Sequence, residues 1–317
     1  MEKGTKMIIT LALSLIVVGG ILFVLALSSN GWRFQSSNYE SAEYEITDTF
    51  QGISINIDTA DITFLPSTNG RVTASFYEHK HEKHQVSVID DSLSISVKNE
   101  KKWWENLFNI SSPKITIYLP EGAYGALKID ASTGDISIPS DFGFESIDVS
   151  LSTGDTSIYA KTNGSAKIEA STGDVSIDGM TPTSLGVTVS TGEVSIKNVA
   201  CSGDISLEFS TGDVEIIDTV CGKLSANGST GDMLVKNTVA SESFNFDLST
   251  GSIDFDRSDA NEIYINVTTG DVKGTLLSSK IFFVNTDTGK VSVPESTTGG
   301  KFKCETSTGD VIISFAN

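Results

Sequence analysis

The chain has 317 residues, a formal net charge of −19 and a mean hydropathy near zero, which allows one or two domains. From residue 121 onward 28 acidic side chains stand against 12 basic ones, a net of −16. That balance repels nucleic acid and anionic headgroups and argues against both as partners of this part. Cations, or basic groups of a protein or wall polymer, are the complementary choice; the same charge also serves simply to keep an exposed repeat soluble.

Residues 1–6 are a short polar N-terminus carrying Lys3 and Lys6, and residues 7–27, MIITLALSLIVVGGILFVLAL, contain no charge. Such a run is long enough to cross a bilayer as a helix. The preceding lysines orient it with the N-terminus cytoplasmic and the remainder outside. The expectation is therefore a single-pass cell-membrane protein that meets the lipid bilayer through residues 7–27, with an extracellular C-terminal domain. Cleavage as a signal peptide near Ala26-Leu27-Ser28 is the alternative; the length of the run and Gly19-Gly20 at its middle favour the retained anchor. Residues 28–43 read as a polar linker with Trp32 suited to the lipid–water interface.

Residues 44–122 form an irregular β-rich opening section that closes the first turn of a repeat array beginning at residue 123. In GISINIDTADITFL the alternation of apolar and polar residues predicts strands, and Asp58-Thr59-Ala60-Asp61 looks like a worn copy of a motif repeated later. The three histidines, His79, His81 and His84, lie in HKHEKH. Two of them at alternate positions offer a metal pair, while the interleaved lysines and glutamates suggest a solvated hairpin tip. A basic-aromatic cluster comes next, in which Trp103, Trp104 and Phe108 are suited either to cap the open apolar end or to rest on the membrane interface.

From residue 123 to 317 the tetrapeptide Ser-Thr-Gly-Asp and its variants recur. The motif glycines are Gly134, Gly154, Gly173, Gly192, Gly212, Gly231, Gly251, Gly270, Gly289 and Gly309, separated by 19 or 20 residues each time. Apolar residues occupy alternate positions on both sides of the motif, for example Ile129 and Leu127 before Gly134 and Ile136 and Ile138 after it. Period two on each side means two short strands per repeat joined by the motif turn. Identical turns at fixed spacing are expected when each meets a copy of itself, as in a solenoid and not in a meander. The predicted fold is all-β: a parallel β-solenoid of about ten ~19.5-residue turns, preceded by one N-terminal transmembrane helix.

Stacking would place Asp135, Asp155, Asp174, Glu193, Asp213, Asp232, Asp271 and Asp310 in a column with about 4.8 Å per step. Calcium ligation is one use of such a column. Hydrogen bonding of the carboxylates to the amides of the turn is the other, with water and salt screening the remaining charge. Ser252 and Lys290 interrupt the acidic series. Cys201 and Cys221, each nine places after a motif glycine, would also stack, within reach of a disulfide or as two small unlinked residues. Cys304 falls on an inward position. No catalytic motif is present: no G-x-S-x-G, no phosphate loop and no paired-cysteine metal motif. Acidic residues copied into nearly every turn do not make the single carboxylate cluster that a polysaccharide-cleaving β-helix enzyme needs.

The N-terminal anchor, DTADITF, Pro120-Glu121-Gly122 and the STGDVSI-type repeats together resemble the bacterial "putative adhesin" family of LiaG-like, membrane-anchored repeat proteins, across residues 44–317. The resemblance implies an envelope protein of a Gram-positive bacterium, associated with cell-wall stress, and assigns no catalytic residue and no cofactor. The expected function is thus a non-enzymatic surface contact or scaffold, with a wall polymer or envelope protein as partner. A calcium-dependent binding module is the alternative, and a polysaccharide-cleaving enzyme a more distant one.

Overall fold

The computed structural model describes residues 39–79, 82–99 and 113–316. The expected membrane span, most of the linker, His81, Trp103, Trp104 and Phe108 lie outside the described residues. Among the described residues of the compact unit that begins at Glu40, the regular elements are strands.

Each repeat supplies one strand to each of two parallel sheets. The first sheet carries the strands before the motif, such as Phe142–Thr153, Ser165–Thr172 and Ser184–Thr191; the second carries those after it, such as Thr156–Ile158, Val175–Asp178 and Val194–Lys197. Register is kept from level to level: Thr133, Thr153, Thr172, Thr191 and Thr211 are successive partners in the first sheet. Ile138, Ile158, Ile177, Ile196 and Ile216 are successive partners in the second. Alternate side chains therefore form inward columns, and Ile129, Val149, Ile168 and Val187 are buried at 0–2% exposure. Parallel pairing in this form buries one face of each sheet against the other and leaves the opposite face to water.

At the motif turn the levels approach one another closely. Gly173 has φ +131°, and a Cβ placed there would lie 2.0 Å from the carbonyl oxygen of Gly154. The same collision recurs at Gly192, Gly212, Gly231 and Gly251, each with the glycine one level below. Both the left-handed backbone and the absence of a side chain are needed, so glycine is selected twice over. The amide ladder continues through the turn, for instance from Gly154 N to Thr172 O at 2.9 Å and from Thr156 N to Asp174 O at 2.8 Å.

The repeat implies levels stacked in chain order, and the structure departs from that order at both ends. Near the N-terminus, Gly52–Thr59 is inserted between Gly122–Thr133 and Ser92–Asn99, and Asp61–Pro66 lies between Lys114–Leu119 and the strand containing Ile136. The worn motif at Asp58-Thr59-Ala60-Asp61 is thus a genuine level, with Thr59 opposite Thr133. Beyond it, Glu82–Ile89 and Val72–His79 add antiparallel strands that close this end. At the other end the last strands of the chain, Gly300–Thr308 and Val311–Phe315, fill a gap left by the preceding repeat. They pair on one side with Ile253–Thr269 and Val272–Leu276 and on the other with Lys280–Thr288 and Val291–Ser292. Residues 280–292 are therefore outermost, although they are not the last in sequence.

Replacing Gly212 by Ala, where the added Cβ would meet the Gly192 oxygen at 1.9 Å, is expected to cost at least about 2 kcal/mol. Gly186→Ala, where nothing lies within 4 Å, should change stability by less than about 1 kcal/mol in either direction. Paired denaturant melts of the two variants measure this contrast.

Candidate functional site

The acidic column exists, and the structure shows what its carboxylates touch. Oδ1 of Asp135 accepts the amide of Asp155 at 3.0 Å, Oδ1 of Asp155 that of Asp174 at 2.9 Å, and Oδ1 of Asp174 that of Glu193 at 2.8 Å. Asp213 accepts from Asp232, Asp232 from Ser252 and Asp271 from Asp310, each at 2.8 Å. Asp61 of the worn motif serves Asp135 at 3.3 Å. Glu193 enters through its amide, and Ser252 substitutes its hydroxyl toward Asp271 at 3.4 Å. Even Lys290 fits, since only its amide is used, donated to Asp310 at 2.7 Å.

Each of these aspartates thus ties its own turn to a neighbouring one, a use of Asp that needs one acceptor oxygen. The chain order of the ends is visible here too: the ladder runs from Asp271 to Asp310 and only then to Lys290. At Asp271 the ammonium of Lys273, 2.9 Å from Oδ2, together with the Asp310 amide, holds the carboxyl below its ordinary range. Among the described residues no three His, Cys, Asp or Glu side chains converge to hold a metal ion.

Cys201 and Cys221 occupy adjacent levels, with Cys201 N bonded to Val220 O at 2.9 Å. Both are buried and carry free thiols, as does Cys304. Burial pushes the Cys221 and Cys304 thiols up to about 12, so neither presents a thiolate at neutral pH.

The solvated reading does not hold for His79 and His84. His84 is buried, its ring lies against Phe76 at 4.7 Å, and its Nδ1 sits 2.8 Å from Oε2 of a fully buried Glu78. The same Glu78 oxygen accepts the His84 amide, and Lys83 approaches its other oxygen at 3.2 Å. His79 is buried as well. The HKHEKH pattern misled because alternation of charged residues reads as exposure, whereas here one face of each strand packs into the closing end of the stack.

The exterior of the described residues includes two concavities. One, of about 380 Å³, lies at the corner where Gly125 and Gly143 leave room beside Phe50, Tyr124, Glu145 and Lys161. The other, of about 320 Å³, lies on the outer face of the first sheet among Asn227, Asn245, Asp247, Tyr264, Asn266 and Lys303. The outward strand positions that form this second trough follow from the register, but its composition is invisible to a reading centred on the repeat motif. The signal that could have found it is the shift of the outward column from Gly186, Ser206 and Ser225 to Asn245 and Tyr264 on successive levels.

The pattern of the Toastrack DUF4097 family matches residues 50–236 and again 202–317, which together span the opening levels and the whole repeat. The chain belongs to the Toastrack DUF4097 family. The match begins at residue 50, just before the first inserted level. No curated protein matches the chain. Among solved structures, a "putative adhesin" from Bacteroides fragilis is 18% identical with a TM-score of 0.39, covering 89% of this chain and 98% of its own. A "putative adhesin" from Parabacteroides distasonis is 11% identical with a TM-score of 0.45, covering 88% and 98%. A "putative lipid binding protein" from the same organism is 15% identical with a TM-score of 0.42, covering 89% and 98%.

Asp174→Ala removes the acceptor for the Glu193 amide and should lower stability by about 0.5–1.5 kcal/mol. Asp174→Asn keeps an acceptor and relieves like charge, so it should be close to neutral; stripping calcium with a chelator should leave the melting temperature of the parent chain unchanged. Thermal melts of the three samples check both points. In the native protein, Cys221 and Cys304 should react with iodoacetamide at pH 8 at least about a hundredfold more slowly than an ordinary thiol, and unfolding should abolish the difference; time-resolved peptide mass spectrometry reads the rates.

Proposed function

We propose that this Toastrack protein is a non-enzymatic cell-envelope protein of the LiaG-like kind, in which residues 7–27 anchor an extracellular domain whose outer faces contact wall polymer or another envelope component. The observation that carries the reading is the division of labour within each repeat. The residues that recur, glycine and aspartate, are engaged with the neighbouring level at 2.8–3.0 Å and through close backbone stacking. The residues that vary lie in the outward columns of broad, exposed sheets. A surface of this kind offers many parallel, weakly differentiated contacts along its length, as a scaffold or adhesive face requires. The uncharged run at 7–27 with its lysine flank supports the anchored topology.

The test uses the full chain with a C-terminal epitope in a Gram-positive host. The epitope should sediment with membranes, be removed by protease added to intact cells, and hold the protein to isolated envelope material after washing. An epitope that is soluble, or protected in intact cells, contradicts the anchored arrangement.

A further inference from the structure

The outermost level, residues 280–292, has no neighbour beyond it among the described residues. Lys280–Thr288 pairs only with Gly300–Thr308, and Val291–Ser292 only with Val311–Phe315. One edge of each outer strand is therefore open, and so is the end of the core between them. Phe282 and Val284 pack against the core but are only half-buried, whereas their partners one level in, Phe302 and Cys304, are fully buried. Ile281 and Phe283, on the outward side of the same strand, are exposed, Phe283 at 54%. Lys301 approaches the Phe283 ring from the inner level, 5.6 Å from its centre. The edge thus reads Ile281-Phe282-Phe283-Val284, apolar on both faces, a pattern that belongs to strands with neighbours on each side. Lys280 adjoins the run but does not guard it, because its buried ammonium is held by Asp259 at 2.6 Å and Ser278 at 2.7 Å.

The opposite end is built differently. Its edge strands, Tyr39–Ile46 and Glu82–Ile89, carry Glu40, Glu43, Glu45, Glu82 and Lys83, and charges along an edge discourage a further strand. Formal charge is also unevenly divided along the array. Residues 121–276 hold 24 acidic and 8 basic side chains, a net of −16, while residues 277–317 hold four of each and are neutral. Two copies would repel each other along most of their length and least at the open end.

We propose that the open end is an interface with a second copy of this chain, the two stacks joined end to end about a two-fold axis with their Lys280–Thr288 strands antiparallel. The same end of another copy supplies both an edge strand and a core opening of the same cross-section. The register follows from which residues would meet. With the axis at Phe283, each Phe282 lies opposite Val284 of its counterpart on the inward side. The two Phe283 rings then meet on the outward side as a favoured cross-strand pair. Moving the axis to Phe282 would set Lys280 against Val284, and moving it to Val284 would set Phe282 against Thr286. Because the charged end does not offer a partner face, pairing closes at two copies and does not propagate. The proposal is independent of the envelope-contact reading, which concerns the outer faces of the sheets.

Sedimentation of the full-length chain in non-ionic detergent, across about 1–100 μM, should show a reversible monomer–dimer equilibrium and no larger species. Added salt should strengthen the dimer or leave it unchanged, since it screens repulsion between the acidic arrays. Phe283→Glu sets like charges against each other at the axis and should weaken the dimer at least about tenfold. The melting temperature should be preserved, because the side chain is exposed. Phe283→Cys should form an intermolecular disulfide on oxidation with diamide, since opposed residues of antiparallel strands lie about 4.5–5.5 Å apart at Cα. Asn227→Cys, exposed on an inner level, should not. A monomer throughout this range, a dimer indifferent to Phe283→Glu, or a disulfide formed equally by both cysteine variants overturns the proposal. Growth beyond two copies with concentration overturns it as well, as does a dimer dispersed by salt.

Discussion

Everything in this structure depends on how closely one glycine can sit on the next. At the motif turn the carbonyl of one level occupies the place where the next level would put a Cβ, about 2 Å away at Gly173, Gly192 and Gly231. Only glycine permits that approach and the positive φ that accompanies it. Once the turns are stacked at this distance, the strands on either side are held in register without slippage, because a shift of one residue would put a side chain into the backbone below and turn every inward column to water. The aspartate next to the glycine uses the same proximity, since its carboxylate needs only to reach the next amide along the stack.

A stack held in this way has two ends, and exposed strand edges and an open core are liabilities there. The N-terminal end is closed by antiparallel strands and by the buried Glu78–His84 pair. At the other end the final strands of the chain are placed one level inside, so that the terminus has a partner on both sides and the outermost level, residues 280–292, is tethered by chain at both of its ends. Fraying from the terminus would then require breaking pairing on two sides instead of one. Lys280, buried at this end, is held by Asp259 at 2.6 Å, a charge pair formed where the apolar core thins out.

The same economy shapes the exterior. Because the repeat reserves its recurring turn for stacking, chemical variety is confined to outward columns, and a distinctive surface arises only where several neighbouring levels change together. That happens around Tyr264, Lys301 and Phe283, where aromatic rings, an ammonium and paired carboxylates replace the small or charged residues of earlier levels.

Residues at short range in sequence determined the strands, the turn and the inward columns: alternation around each Gly, as at Ile129, Ile136 and Ile138, fixes which side chains share a face whatever the global arrangement. The 19-or-20-residue interval then made a parallel stack legible, and with it the acidic column and the adjacency of Cys201 and Cys221. The role of that column was open in the sequence, because an aspartate in a turn reads alike whether its oxygen meets a cation or an amide; in the structure Oδ1 of Asp135, Asp155 and Asp174 meets an amide of the next level at 2.8–3.0 Å. Burial of His84 was likewise undetermined, since HKHEKH records charges and not which face the strand turns inward. Only tertiary structure set the exchanged order of the end levels and joined Tyr264 to Phe283 across Lys303. Neighbours along a stack are chosen by pairing between distant segments, and a level inserted out of order leaves the local pattern of each repeat unchanged.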